Sequence, residues 1–452
     1  MLKVIVRSKR DLDAFKAMLK SYYPEWRMKL ATLKGMRGRR ALSKLLEIVE
    51  DNLFNIVIVG REDKELKELE GLLGPNTYIH VVSKARIRNV RPKHLALEFE
   101  RARSAFRNTV YWLEKERAYI FARVRRGVKI NIENNPAYDI YMGLGKDTML
   151  LLKTVSCPSY PNPLIARKMG GVHDIYCGSI KTCALRIPDI GYPKTIERRE
   201  GGEEVNLTRT IRSNKHVLDI LEKIALNFMK KFRNQYSYFV VPWSGGKDST
   251  TALLLAIKAY GLSRVKAIYV DTGVDFPHNR DYVKEIAKKL SVELIEVKAR
   301  IIEELVEGKK LPTHENRWCT KLKIKALYEA FNTISSDKSD ILVIVGDRDA
   351  ESELRSKRPP FREHEGYYQI APIKMWSGAH TQLYLLVNDI PLNPLYLMGF
   401  YRIGCYICPA LRSWEVKIMK EHSELSKTLD SLMFYREFIT DYYKKLITVG
   451  ET

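Results

Sequence analysis

The residues best suited to chemistry in this sequence lie in the run VVPWSGGKDST at positions 240–250. The serine and two glycines after the apolar residues let the backbone turn tightly, so that consecutive N–H groups can point at one anion. Ser249 and Thr250 then open a helix whose N-terminal N–H groups and dipole favour the same negative charge. Lys247 can add a point charge. The run therefore predicts a phosphate-binding loop.

Apolar strands alternate with helix-forming segments from about residue 210 onward, and this alternation must position the loop. The segments YFVVPW, VKAIYVD, VELIEV and ILVIVG are typical of buried strands, and those between them of amphipathic helices. This alternation predicts an α/β fold with a doubly wound parallel sheet. Ligands bind at the carboxyl ends of the strands in such sheets, where both the loop and Arg348 fall.

Six ordered motifs carry a resemblance to a known family. SGGKDS resembles the PP-loop of the ATP pyrophosphatases, which cleave ATP between its α- and β-phosphates. The other five motifs resemble, in order, the PAPS reductase family of that superfamily: DTGVDFP (271–277), RWCT (317–320), GDRDAESELR (346–355), NPLY (393–396) and GCYICP (404–409). The resemblance covers about residues 210–415, implies an adenine nucleotide alpha hydrolase-like fold and suggests an archaeal type with an extra basic N-terminal region.

The resemblance implies ATP and Mg²⁺ as cofactors and a set of residues at the strand ends. The implied nucleotide- and phosphate-binding residues are Ser244, Gly245, Gly246, Lys247, Asp248, Ser249, Thr250, Asp271, Thr272, Gly273, Arg348, Glu351, Ser352 and Arg355. Catalytic roles are implied for Lys247, Asp248 and Arg348 together with Cys319, Cys405 and Cys408. Arg348 would lie over a phosphate or sulfur-bearing group, and an ion pair with Asp349 or Glu351 is the alternative.

Two features depart from the sulfonucleotide reductases of this family. Those enzymes have a degenerate loop without the lysine, whereas this chain keeps Lys247 and the whole motif. Those enzymes also end in a tail whose cysteine attacks sulfur, and this chain has no cysteine after Cys408. Because such an attack needs a thiol, the departures disfavour PAPS or APS reduction by that mechanism.

Three cysteines near the motifs predict a metal site. Cys319 is followed by the Cys405-x2-Cys408 pair, which suits a metal or a cluster. Three thiolates would leave one iron of a [4Fe–4S] cluster open, and in similar tRNA-thiolating pyrophosphatases that iron is thought to carry sulfur. Zinc with His314 as the fourth ligand is one alternative. Buried structural thiols are the other.

The first third of the chain is strongly basic. The chain of 452 residues has a net charge of +23, and residues 1–130 hold 30 Lys and Arg against 15 Asp and Glu. The arginines of this region include Arg37, Arg39, Arg40, Arg86, Arg88, Arg91, Arg101 and Arg103. Such a surface predicts RNA, most naturally tRNA, as the partner; a solvated thermophilic surface is the alternative. Phe106, Tyr111 and Trp112 fit either RNA stacking or a helical core.

The sequence predicts four parts: a basic α/β domain (1–125), a β-rich Gly/Pro/Cys segment (126–205), the PP-loop domain (206–415) and a helical extension (416–452). In the first part the predicted strands are LKVIVRS, FNIVIVG and TYIHVVS, and the predicted helices are RDLDAFKAMLKSYY, DKELKELEGLL and the pattern from about His94 to Arg117. The β-rich segment contains a candidate zinc set or a set of buried residues, Cys157, His173, Cys177 and Cys183. Its GLGKDT run (143–148) lacks the residues of a Walker A loop and predicts a turn.

Together these patterns predict an ATP-dependent adenylylating enzyme that transfers sulfur from a donor to RNA. An unusual sulfonucleotide reductase and a non-catalytic RNA-binding protein are the alternatives. The absence of a long apolar run excludes a predicted membrane span, and six cysteines are too few for a disulfide framework. We therefore expect a cytoplasmic protein, and only three glutamines beside many Lys, Arg and Glu favour a thermophile.

Overall fold

The computed structural model describes residues 1–448, in which four β-sheets follow one another along the chain. No helix in this range combines the length and the apolar character needed to cross a membrane. The last four residues of the predicted helical extension, 449–452, lie outside the described residues.

The N-terminal part is a parallel four-stranded sheet with strand order β2-β1-β3-β4. Its strands are β1 (Leu2–Val6), β2 (Lys29–Thr32), β3 (Phe54–Val59) and β4 (Thr77–Val81), and its helices are α1 (Lys9–Tyr22), α2 (Gly38–Ile48) and α3 (Pro92–Asn108). The strands β1 and β3, which are apolar apart from Lys3 and Asn55, are buried throughout, as expected for parallel strands covered on both faces. The predicted strand–helix alternation is confirmed here.

Two predicted helices of this part differ in detail. The helix predicted over about His94–Arg117 ends at Asn108, because the chain turns into a strand at Tyr111–Leu113. All but the last residue of the segment DKELKELEGLL lie within a 3₁₀ helix, Arg61–Leu72, rather than an α-helix. Phe106 and Trp112 are buried in the core, which supports the core alternative for these aromatic residues.

The middle of the chain forms two antiparallel sheets. The small one contains β5 (Tyr111–Leu113), β6 (Ala118–Ile120) and β7 (Val128–Lys129). The larger one, which we call the middle sheet, contains β8 (Asp139–Met142), β9 (Leu164–Arg167), β10 (Val172–Cys177), β11 (Ile180–Arg186) and β12 (Lys194–Arg198), with α4 (Lys146–Thr154) after β8. The GLGKDT run is more than the predicted turn, because its last three residues begin α4.

The candidate zinc set of the middle sheet is not assembled. Cys157 and Cys183 form a disulfide, with their Cα atoms 5.6 Å apart. His173 instead contacts the Gly171 carbonyl oxygen through Nδ1 at 2.9 Å, and the Cys177 sulfur lies 3.6 Å from the Thr182 hydroxyl. Two of the four residues are thus bonded to each other, and the other two make separate local contacts. Neither zinc binding nor burial as free thiols is correct for Cys157 and Cys183.

The main sheet has strand order β15-β14-β13-β16-β18-β17. Its strands are β13 (Tyr238–Pro242), β14 (Val265–Asp271), β15 (Glu293–Lys298), β16 (Ile341–Ile344), β17 (Phe361–His364) and β18 (Tyr367–Ile370). The associated helices are α5 (Leu207–Met229), α6 (Lys247–Tyr260), α7 (Pro277–Leu290), α8 (Ile301–Val306), α9 (Trp318–Ile334), α10 (Glu353–Lys357), α11 (Gly378–Val387) and α12 (Pro394–Leu397). All strand pairs are parallel except β17–β18.

Alternating residues of the main sheet face two different helix layers. Phe239 and Val241 of β13 belong to the large core that includes α5 and α6, whereas Val240 belongs to a second core with Phe331 of α9. This two-sided burial confirms the predicted doubly wound sheet. The strand order reverses between β13 and β16, which places the ligand crevice at the carboxyl ends of these two strands.

Three helices end the described chain: α13 (Ser413–Glu421), α14 (Ser423–Asp430) and α15 (Tyr435–Thr448). Their apolar faces join Cys157, Cys183 and the strand end after β14 in one core cluster. The C-terminal helices are thus packed against both the middle sheet and the main sheet. This contact completes one side of the crevice at the strand ends.

Candidate active site

The predicted phosphate loop connects β13 to α6, as the sequence indicates. Gly245 has a left-handed backbone with φ of +75°, and a Cβ atom there would lie 2.3 Å from Oδ1 of Asn279. Gly246 caps the N-terminus of α6, and its carbonyl oxygen accepts hydrogen bonds from the hydroxyls of Ser249 and Thr250 at 3.1 and 2.9 Å. The loop is therefore held by its own serine, threonine and glycine residues, with α6 positioned to favour an anion.

A second glycine lets the next strand end approach this loop. Gly346, just after β16, has no side chain where a Cβ atom would lie 2.7 Å from the backbone carbonyl carbon of Asp248 and 2.8 Å from the backbone nitrogen of Ser249. Only glycine fits between these backbones without displacement. Gly346 thus brings the end of β16 against the first turn of α6.

We expect Gly346→Ala to weaken ATP binding about 5- to 100-fold, because overpacking of this kind costs about 1–3 kcal/mol and must shift the loop. Isothermal titration calorimetry with ATP and Mg²⁺ measures the effect. Gly71→Ala is the matched control, since its added Cβ would meet only the Arg125 side chain, at 3.9 Å. An unchanged dissociation constant for Gly346→Ala would show that the close approach does not shape the loop.

The charged residues of the loop form a buried network that reaches the middle sheet. Nζ of Lys247 lies 3.2 Å from Oδ2 of Asp248, and Nε of Arg348 lies 2.9 Å from Oδ1 of the same carboxylate. Nη1 of Arg348 also contacts Oδ2 of Asp139, in β8, at 2.8 Å. Thr381 donates its hydroxyl to Asp248 at 3.0 Å. Asp248 is therefore surrounded by donors and serves as the central acceptor of the network.

Electrostatics keeps this network ionised. Burial alone raises the pKa of Asp139, but the nearby Arg348 and Arg167 cations outweigh burial and hold its pKa at about 2. For Asp248 too, burial is opposed by Arg348 and Lys247, and the net result is a lowered pKa. Both carboxylates thus carry their charge at neutral pH.

The structure changes the expected role of Arg348. Its side chain is 1% exposed and is bound by the carboxylates of Asp139 and Asp248. The predicted alternative of an ion pair with Asp349 or Glu351 is also incorrect as stated, because the Arg348 side chain pairs with other carboxylates. The hydrogen bond between Arg348 and Glu351, at 2.8 Å, comes from the Arg348 backbone nitrogen. Arg348 therefore couples the phosphate loop to the middle sheet, and little of its guanidinium is left for a ligand.

The remaining predicted residues lie at two neighbouring strand ends. After β16, Arg355 contacts Glu351 at 2.5 Å, and Ser352 caps the short helix α10. After β14, the Thr272 nitrogen donates to Asp275 at 3.0 Å, and the Gly273 nitrogen donates to Asp271 at 2.9 Å. The first group shares a cavity with the phosphate loop, whereas the second lies beside it at the end of β14.

The cavity over the phosphate loop has a volume of about 790 Å³. Its walls come from three parts of the chain: the loop and the segment after β16, the middle sheet through Tyr141 and Arg167, and the C-terminal part through Arg412 and Trp414. Tyr396 and Tyr401 also line it. The sequence did not point to Asp139, Arg167 or Tyr401, because they lie outside the recognised motifs. A nucleotide and a second substrate group could share this space.

The three predicted metal-ligating cysteines contribute to one core cluster but do not form a metal site. Cys405 is buried, with its sulfur 3.1 Å from Nζ of Lys323 and 3.6 Å from both Thr272 Oγ1 and Asp275 Oδ1. Throughout residues 1–448, no group of three or more His, Cys, Asp or Glu side chains is placed to hold a metal ion. The donor set therefore fits neither the predicted [4Fe–4S] cluster nor zinc with His314. Cys405 instead connects the GCYICP motif to the segment after β14, through Thr272 and Asp275.

The environment of Cys405 makes it a slow nucleophile. Burial raises the pKa of its thiol to about 12, and the adjacent Lys323 ammonium offsets only part of that rise. Because the thiolate is the reactive form, we expect iodoacetamide at pH 7 to modify Cys408 at least about tenfold faster than Cys405. The Cys405 rate should rise about tenfold per pH unit between pH 7 and 9. Peptide mapping by mass spectrometry measures both rates, and equal rates at pH 7 would contradict the assignment.

Comparison with known proteins gives a partial but specific match. Residues 238–411 match the family model described as the phosphoadenosine phosphosulfate reductase domain. An uncharacterized protein of Methanocaldococcus jannaschii is 34% identical over 219 residues, which are 47% of this chain and 52% of that protein. The adenosine 5'-phosphosulfate reductase of Rhodococcus erythropolis is 31% identical over 153 residues, or 32% of this chain and 58% of that enzyme.

Solved structures match less than half of the chain. A phosphoadenylyl-sulfate (PAPS) reductase from Candida auris is 20% identical, with a TM-score of 0.35, and the match covers 43% of this chain and 97% of that one. The matches to the first two curated relatives span about half the length of each of them. The first 237 residues lie outside the family match.

Proposed function

Because residues 238–411 belong to the PAPS reductase family of the PP-loop ATP pyrophosphatase superfamily, we propose that the chain cleaves ATP between its α- and β-phosphates and adenylylates an acceptor. The observation that carries the proposal is the intact loop beneath a large cavity, with Lys247 held in place by Asp248. A sulfonucleotide already carries its adenylyl group and needs no such activation. A complete loop is suited to the polyphosphate of ATP itself.

The chain's residues have distinct tasks in this reaction. The N–H groups of the loop and of the first turn of α6 bind the pyrophosphate part of ATP, which enters as its magnesium complex. Lys247 stabilises the charge that develops on the departing pyrophosphate. Asp248 and Arg348 hold the lysine and the loop in register, since both are tied to buried partners. We assign the adenosine part of ATP to the side of the cavity that faces the strand end at Thr272 and Gly273.

We further propose that the acceptor is RNA and that the reaction introduces sulfur. An adenylylated carbonyl oxygen of a nucleobase is a good leaving group, so sulfur from a donor can replace it and release AMP. Three of the predicted basic residues, Arg39, Arg40 and Arg91, are exposed and form no salt bridge with any described residue, which supports phosphate contacts. No step is routed through a cluster, because the cysteines are not arranged as a ligand set.

Other arginines of the basic region have internal partners. Arg103 is 1% exposed and lies 3.4 Å from Asp349 in the PP-loop domain, so it joins the domains rather than facing RNA. Arg37 and Arg86 both contact Glu62. The proposed RNA surface is therefore smaller than the sequence predicts.

Incubation with total tRNA, ATP, Mg²⁺ and sulfide tests the proposal. We expect pyrophosphate, AMP and a thiolated nucleoside, detected by liquid chromatography and mass spectrometry of digested tRNA. A combined Arg39→Ala, Arg40→Ala and Arg91→Ala variant should raise the KM for tRNA and reduce the salt dependence of binding. Its matched control is Arg37→Ala, whose side chain is already paired with Glu62. ATP cleavage without thiolated product would refute sulfur transfer, and tight RNA binding without cleavage would favour an RNA-binding protein.

Sulfonucleotide reduction is the second candidate, favoured by the similarity to the reductase of Rhodococcus erythropolis. It predicts sulfite and AMP from adenosine 5'-phosphosulfate, or sulfite and the 3'-phosphorylated nucleotide from PAPS, in the presence of a thiol donor and without ATP. Sulfite formed at a rate that does not depend on ATP would replace the adenylylation proposal.

A further inference from the structure

A cation from outside the family-matched region reaches the cavity over the phosphate loop. Arg167 stands at the end of β9 in the middle sheet and lines the cavity together with Lys247. Its Nη2 atom donates a hydrogen bond to the carbonyl oxygen of Ala350, in the segment after β16. The guanidinium is therefore fixed at the boundary between the middle sheet and the PP-loop domain.

One tyrosine ring connects Arg167 to the loop lysine. The ring centroid of Tyr401 lies 5.3 Å from Cζ of Arg167 and 5.3 Å from Nζ of Lys247. The Tyr401 hydroxyl donates to Oδ2 of Asp139 at 3.0 Å. Arg167 and Lys247 thus contact the same ring and belong to one cluster, although they come from sequence positions 80 residues apart.

This cluster has more positive than negative charge. Its cations are Arg167, Lys247 and Arg348, and its carboxylates are Asp139 and Asp248. Both carboxylates are engaged by Arg348 or Lys247, whereas Arg167 forms no salt bridge within residues 1–448. The residues that line the cavity also carry an excess of positive charge, with seven Lys and Arg side chains and four carboxylates. An anion in the cavity would neutralise the excess.

The Arg167 side chain also has an unused donor. Its Nε atom is buried and has no hydrogen-bond partner in the described part of the chain. Buried polar groups are nearly always paired, so this unpaired donor, on a residue that lines the cavity, is available to a hydrogen-bond acceptor of a ligand. Arginine suits phosphate because its planar group can donate two parallel hydrogen bonds.

We propose that Arg167 binds a phosphate group in the cavity, so that the middle sheet supplies part of the anion site of the PP-loop domain. The proposal rests on the proposed function in taking the cavity as the place where ATP and acceptor meet. The phosphate has two possible sources: the terminal phosphate of ATP, or a phosphate of the acceptor. In both cases Arg167, from the middle sheet, contributes to anion binding in the cavity.

Two calorimetric titrations, each with wild-type protein and Arg167→Ala, test the proposal. The first uses pyrophosphate and the free protein. The second uses inorganic phosphate and protein saturated with a non-hydrolysable ATP analogue and Mg²⁺. We expect Arg167→Ala to weaken binding about 10- to 100-fold in one titration, which identifies the source: the first indicates the ATP terminal phosphate, the second an acceptor phosphate. Changes below about twofold in both, or no binding by the wild type, would overturn the proposal.

Two further variants separate binding from folding. Arg167→Lys keeps the positive charge but not the paired donors, so its affinity should lie between those of the wild type and Arg167→Ala. Arg198→Ala removes an exposed arginine of the same sheet that pairs with Glu200, and it should bind phosphate like the wild type. If Arg167→Lys folds like the wild type, as judged by thermal denaturation, and binds with unchanged affinity, the proposal is overturned as well.

The binding measurements on Arg167 and the test of the proposed reaction can fail separately. Adenylylation is judged by the products formed from ATP, whereas the role of Arg167 is judged by binding of pyrophosphate and phosphate. Loss of phosphate affinity in Arg167→Ala, with no AMP formed by the wild type, would retain the phosphate site and reject adenylylation. AMP formation by the wild type, with unchanged phosphate and pyrophosphate affinities in Arg167→Ala, would retain adenylylation and reject the phosphate site.

Discussion

Lys247→Ala is expected to lower the rate of pyrophosphate release from ATP about 10²- to 10³-fold, the range for loss of one preorganised group that stabilises developing charge. The lysine is held before ATP binds: it is 4% exposed, contacts Asp248 at 3.2 Å and lies near the rings of Tyr396 and Tyr401. The fold should tolerate the change, because Asp248 keeps its contacts with Arg348 and Thr381. A coupled assay for pyrophosphate with tRNA as acceptor measures the rate.

Lys258→Ala is the matched control for this prediction. Lys258 lies on the same helix, α6, but contacts Glu222 and Asn388 and does not line the cavity. The Lys258→Ala variant should therefore release pyrophosphate at close to the wild-type rate. Equal activity of Lys247→Ala and Lys258→Ala would mean that the loop lysine does not act on the transferring phosphates.

Asp139→Asn is expected to reduce the free energy of unfolding by about 3–5 kcal/mol, because it leaves part of a buried arginine charge uncompensated. Asp139 is fully buried and contacts Arg348 at 2.8 Å, and it also accepts from the Gly378 nitrogen and the Tyr401 hydroxyl, both at 3.0 Å. The amide keeps the shape of the carboxylate but not its charge. Urea unfolding followed by circular dichroism measures the loss.

The dependence of the free energy of unfolding on pH in the acid range gives a second test for Asp139. Its pKa is about 2 in the folded protein and is lowered from an ordinary value of 3.8. Because the folded state lowers this pKa, the carboxylate contributes its full stabilisation above about pH 4 and loses it as the pH falls towards 2. Asp139→Asn should therefore lack the part of the stability loss between about pH 4 and pH 2 that is due to Asp139.

An exposed pair provides the comparison for Asp139→Asn. Glu293 contacts Lys266 at the sheet edge, and its side chain is 56% exposed. Glu293→Gln should cost less than about 1 kcal/mol, as expected for a solvent-screened pair. If the two variants lose similar stability, the buried network does not connect the middle sheet to the loop as described.

The sequence was sufficient to locate the phosphate loop, because its determinants are local. An apolar strand, two glycines and a helix that begins with hydroxyl residues all lie within 240–250. The same locality explains the correct doubly wound sheet. The helix predicted to extend to Arg117 ends earlier, because the local helical pattern does not reveal the short strand at Tyr111–Leu113.

The partners of the loop could not be predicted, because they are distant in sequence. Arg348 was correctly placed at a strand end, but its partner Asp139 is 209 residues earlier, in a segment with no recognisable motif. The strand DIYM gives no sign that its first residue is an ion-pair partner rather than an exposed carboxylate. The residue types of Cys319, Cys405 and Cys408 suggested metal ligands, whereas Cys405 contacts Lys323, Thr272 and Asp275.

The cleavage position in ATP is the most direct test of the central claim. ³¹P nuclear magnetic resonance of a reaction containing protein, ATP, Mg²⁺ and total tRNA distinguishes the products without a coupling enzyme. We expect pyrophosphate together with adenylylated tRNA or AMP, with no orthophosphate formed in parallel. ADP and orthophosphate would show cleavage between the β- and γ-phosphates and would contradict the assignment of residues 244–250 as a pyrophosphate-binding loop.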